Sequence, residues 1–154
     1  MDFKIEKIRS CFNIRVIVLY TDLFLGKWRQ GRSLGPIVII HPESKKDRTL
    51  LDHELVHSKQ WWCSLGLQSI LYTFSKKHRL KYEIEAYKTK YDRISNKRWA
   101  ICNITDLLHR HYKLDMTKDQ ILKELMVTYK FKEHEYCEDN DNVKCSYRVQ
   151  CSEY

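Results

Sequence analysis

The chain has 154 residues, a formal net charge of +8, four glycines and two prolines. That length suits one domain with a sizeable core, and no linker or internal repeat divides it, so residues 1–154 are expected as a single domain with its core over about 10–130. No apolar run reaches the roughly eighteen residues of a spanning helix, the N-terminal residues lack the pattern of a secretory signal, and six cysteines without a CxxC pair point away from a structural zinc site and towards reduced thiols.

In chain order, Asn13 to Tyr20 reads as a strand, and Gly35-Pro36-Ile37-Val38-Ile39-Ile40 is an apolar β-branched run bounded by turn signals, a second strand. His41 precedes Pro42 in a turn and reads as a surface residue. With so few breakers, loops should be short and helices dominant after residue 47. Leu50, Leu51, Leu55, Val56, Trp61 and Trp62 predict a mostly buried helix. The segment Leu65 to Phe74 is expected as a core helix, with a patch resting on a membrane surface as the alternative. Leu80 to Tyr87 reads as a further helix. Asn103 to Leu108 and Thr117 to Met126 are amphipathic, the latter opened by Thr117 as N-cap. From Glu133 the pattern fades into an expected irregular tail over about 133–154, with Cys137, Cys145 and Cys151 among acidic residues and an inhibitory flap as one use for it.

The residues with most chemical content are His53-Glu54-Leu55-Val56-His57. Two histidines four apart share a helix face, roughly 5–6 Å apart at Cβ, so both imidazoles can converge on one metal with Zn–N bonds of about 2.0–2.1 Å. Glu54, turned about 100° from His53, can reach a water activated by the metal without becoming a ligand. Two imidazoles and a carboxylate in a greasy helix require partners, which a metal supplies; a helix whose histidines cap or hydrogen-bond is the alternative. Catalytic zinc keeps three protein ligands and an open position. Downstream, Glu83 and Glu85 differ by about 200° around the helix axis, so only one can face the metal. Ala86, three residues on, gives the Glu83 face a small residue for close helix approach, and geometry favours Glu83, with Glu85 as the alternative third ligand.

HELVHSKQWW followed by a glycine-containing hydrophobic stretch and YEIEAYK resembles the small gluzincin-type zinc metallopeptidases of bacteria and phages, over about residues 37–92. The resemblance implies a zincin-like α+β fold: a small N-terminal sheet packed on an active-site helix and a glutamate helix, with further helices after them. It also implies one Zn2+, with His53, His57 and Glu83 as metal ligands, Glu54 as catalytic base, Gln60 as the glutamine after the motif and Ala86 completing ExxA. Where many relatives place an aspartate next to that alanine, this chain has Tyr87, so Asp52 or a backbone carbonyl would have to orient a metal histidine, or Tyr87 is a plain core aromatic. In such folds the edge strand can hold extended substrate by strand addition, which would make Ile37 to His41 substrate-facing; a strand that completes the core is the alternative.

The implied reaction is hydrolysis of a peptide bond, with Glu54 moving the proton from water to the leaving amine. An oxyanion donor besides the metal is needed, and Tyr87, Tyr91, His109, His111 and Tyr112 are all eligible. The partner expected is a protein or peptide substrate in the cytoplasm of a bacterium or host cell, with virion association as an alternative. Two other readings stay open: a catalytically silent zincin-like scaffold or phage structural protein, and a basic nucleic-acid-binding adaptor. The basic clusters at Lys45-Lys46, Lys76 to Arg79 and Lys97-Arg98 are expected at helix ends, where cations complement the dipole. No nucleic-acid module is recognisable, so nucleic acid is the weaker partner. Nothing in the sequence fixes an oligomeric state.

Overall fold

The computed structural model describes residues 2–9, 13–26 and 29–131. Its described elements are α+β: a four-stranded mixed sheet and five α-helices. The chain divides into two compact units, Met1–His78 and Arg79–Tyr154.

The first unit carries the sheet. Strands β1 (Asp2–Arg9), β2 (Asn13–Tyr20), β3 (Gly31–Leu34) and β4 (Ile37–Ile40) lie in the order β1-β2-β4-β3. β1 runs antiparallel to β2, β2 parallel to β4, and β3 antiparallel to β4. Alternation in β2 buries Val16, Val18 and Tyr20 on one face, where Val38, Ile40 and Leu51 complete a small core. This arrangement corrects the reading of Ile37 to His41 as a substrate-facing edge. β4 lies between two neighbours, and Val38, Ile39 and Ile40 are buried on both faces, so it completes the core and the edges are β1 and β3. Neither edge strand was anticipated, because β1 alternates charged and apolar residues and β3 is only four residues long. Charge along β1 suits an edge that must not recruit another strand: Lys4 and Arg48 both contact Glu6 Oε1, at 2.7 and 2.9 Å. The Lys4 hydrogen bond, reinforced by Arg48, holds the Glu6 carboxyl below its usual range.

Helix α1 (Arg48–Cys63) begins where Asp47 accepts a hydrogen bond from the Leu50 amide at 3.0 Å, and it packs on β3 and β4. The β3–β4 turn is fitted to it at Gly35. This residue has φ +71, and a Cβ there would stand 2.8 Å from the Trp61 indole, so only glycine satisfies both the left-handed backbone and the close approach. The Ser58 hydroxyl donates to the Gly35 carbonyl, tying the same turn to the same helix.

Helix α2 (Leu67–Phe74) overturns the expectation of a core helix. Its one buried residue is Gln68, while Leu67, Ile70 and Phe74 are exposed. Two of the three basic clusters lie at the helix ends that the dipole argument does not favour. Lys76 and Lys77 open α3 (Lys76–Arg93), and Lys97 and Arg98 open α4 (Lys97–His111), at helix N-termini where the dipole does not favour cations. Lys97 is accommodated by donating to the carbonyls of Tyr91 and Asp92 at the end of α3, at 2.7 and 3.2 Å.

The second unit is helical. Apolar residues of α3, α4 and α5 (Lys118–Tyr129) form one cluster that includes Leu80, Ile84, Ile101, Ile104, Leu108, Ile121 and Leu125. Thr117 is the N-cap of α5, in a capping box with Gln120. The Tyr129 hydroxyl donates to the Ile84 carbonyl at 2.7 Å, and burial pushes its phenol well above the usual range. The expected tail over 133–154, with Cys137, Cys145 and Cys151, lies outside the described residues.

Candidate metal centre

His53 and His57 occupy successive turns of α1, both half-buried. Their Nε2 atoms stand 3.2 Å apart. Two nitrogens each about 2.05 Å from a tetrahedral zinc are separated by about 3.3 Å, so the pair has the spacing a shared zinc would require. The rings cross at 81° with centroids 4.9 Å apart. His57 Nδ1 lies 2.9 Å from Gln60 Oε1, and Gln60 is buried. With Nδ1–H donating to that amide oxygen, His57 keeps its lone pair on Nε2, the nitrogen that faces His53. Gln60, three residues after the motif, is thus positioned to fix the orientation of the His57 ring.

His53, His57 and Glu83 each offer a ligand atom, and these atoms all lie within 4.8 Å of one another, a group that could hold a metal ion. Glu83 on α3 is 1% exposed, whereas Glu85 points to solvent, the division that their angular separation requires. Ala86, on the Glu83 face, is fully buried. Two imidazoles and a carboxylate suit zinc, which takes nitrogen and oxygen donors in this combination.

Glu54 is buried but is not one of the three. It lies against β3: a Cβ on Gly31 would come within 3.0 Å of Glu54 Cγ and 3.1 Å of Oε1. Glycine at that position leaves room for the carboxylate beside the sheet edge.

The remaining candidates are distributed more widely. Asp52 pairs with Arg48, Nε to Oδ1 at 3.4 Å. The Tyr87 hydroxyl is 3.2 Å from that of Tyr112. Tyr91 is buried in the helical cluster with its ring 4.5 Å from that of Tyr129, the placement of a core aromatic. His109 and His111 are exposed in the last turn of α4. His41 is half-buried and caps a short 3-10 turn, its Nδ1 accepting from the Glu43 amide at 3.4 Å. Sequence reasoning missed Tyr72 on α2, whose ring stands edge-on to His57 at 6.2 Å between centroids. No local spacing links the two residues, because Tyr72 reaches His57 only through the turn between α1 and α2. Gly31 was missed for a similar reason, since its importance comes from what lies opposite in space. No protein-family model, curated protein or solved structure matches this chain.

Proposed function

We propose that this protein is a zinc-dependent peptidase of gluzincin type on a zincin-like fold, with His53, His57 and Glu83 as ligands and Glu54 as general base. The observation that carries the reading is the convergence of those three donors within 4.8 Å while Glu54, on the same helix, stays outside the set. A helix that merely satisfied its own polar groups would not need a buried glutamate from residue 83 beside both imidazoles.

Zinc held by His53, His57 and Glu83 would supply Lewis acidity to the carbonyl and the attacking water. The protein's own residues do the rest. Glu54 accepts the proton of the attacking water on its carboxylate and returns it to the leaving amine. Gln60 keeps His57 in the tautomer that presents Nε2. Tyr72, whose ring stands edge-on to that of His57, is the side chain assigned here as oxyanion donor. β3 is the sheet edge beside Glu54, so an extended peptide paired to it by strand addition would run past the base.

The test is Glu54→Gln, assayed on a mixture of unstructured peptides with new termini read by mass spectrometry. The variant keeps its zinc and loses about 10²–10⁴-fold in hydrolysis. Zinc-loaded wild-type protein that cuts nothing in a broad mixture would instead mark a silent scaffold.

A further inference from the structure

The apolar stripe of α2 has no place in the reaction proposed above. Leu67, Ile70 and Phe74 recur at helical spacing on one face, 51%, 56% and 85% exposed. Leu65, in the turn before the helix, extends the stripe at 85% exposure and adopts φ +50, a left-handed conformation that disfavours a side-chain-bearing residue. The face that turns inward carries Gln68, which is buried, and Tyr72, which meets His57. Four large apolar side chains in solvent while a glutamine is buried is the reverse of what a core helix does.

What adjoins the stripe identifies its occupant. Immediately after Phe74 and Ser75 come Lys76 and Lys77, both exposed, in the first turn of α3 where the helix dipole gives no reason for cations. Apolar side chains beside lysines match the two layers of an anionic bilayer surface, acyl boundary and negative headgroups. A protein groove would call for the first feature without the second. No helix among the described residues is long and apolar enough to cross a membrane, so the element is suited to lying in the interface.

We infer that Leu65, Leu67, Ile70 and Phe74 with Lys76 and Lys77 form a docking surface for an anionic phospholipid bilayer. The inference does not depend on zinc or on hydrolysis. Every residue in it belongs to the Met1–His78 unit.

The test is co-sedimentation of the full chain with vesicles of equal parts phosphatidylserine and phosphatidylcholine, and with vesicles of phosphatidylcholine alone. Wild-type protein pellets with the first and much less with the second, and added salt weakens binding. Ile70→Ser with Phe74→Ser, and separately Lys76→Gln with Lys77→Gln, each lower the partition coefficient by about tenfold or more. All these side chains are in solvent, and an unchanged melting curve confirms that the variants fold. Absence of pelleting with the anionic vesicles overturns the inference, as does equal pelleting with both compositions or unaltered binding by the variants. A vesicle-free dimer in light scattering that Ile70→Ser with Phe74→Ser converts to a monomer would assign the stripe to a second copy of the chain instead.

Discussion

Helix α1 buries Glu54, Ser58 and Gln60 alongside Leu51, whereas α2, the more apolar of the two by sequence, buries Gln68 and leaves Leu67, Ile70 and Phe74 in solvent. The difference separates what hydrophobicity can place from what it cannot. Each buried polar residue in α1 has a structural use: Ser58 holds the β3–β4 turn, Gln60 orients His57, and Glu54 sits against Gly31. Burying such groups without partners would cost about 1–3 kcal/mol each, so their burial reflects the partners and packing that surround them. Exposed leucine, isoleucine and phenylalanine in α2 bury little apolar surface and so contribute little to folding.

The contrast can be broken by mutation. The largest effect is expected from Leu51→Ala in α1. Leu51 packs into the core of the sheet, and its truncation should lower stability by about 2–5 kcal/mol in a denaturant titration. Next comes Gln60→Leu, which keeps side-chain volume and removes the acceptor for His57 Nδ1. Zinc affinity measured by competition with a chelator should fall by about 10–100-fold with little change in the apo protein's circular dichroism. Smallest is Phe74→Ala in α2, which should shift stability by no more than about 0.5 kcal/mol despite removing an aromatic ring. A Phe74→Ala penalty as large as that of Leu51→Ala would mean that α2 is a core helix after all.

The helices and the grouping of His53, His57 and Glu83 were the legible part of this molecule, because helical periodicity converts sequence spacing directly into shared faces. His53 and His57 converge because they are four apart, and Glu83 rather than Glu85 turns inward because two residues rotate a side chain to the other face. Thr117 was legible as a cap for the same local reason. The sheet was less so. β4 was visible as an apolar run, but its position between β2 and β3 depends on pairings with strands whose own sequences are weak signals. α2 was misread because a short apolar segment looks the same whether it meets a core or a surface. Tyr72 and Gly31 were invisible because their contacts with His57 and Glu54 join residues far apart in the chain. The lysines at the starts of α3 and α4 were assigned to the wrong helix ends, since charge alone does not reveal which end of a helix it marks.

The central claim is tested most directly by metal analysis of the purified protein. Wild-type chain and Glu85→Ala should each carry one zinc per chain, while His57→Ala and Glu83→Ala should lose stoichiometric metal. Glu83→Ala that retains its zinc, with Glu85→Ala losing it, would contradict the ligand set on which the proposed chemistry rests.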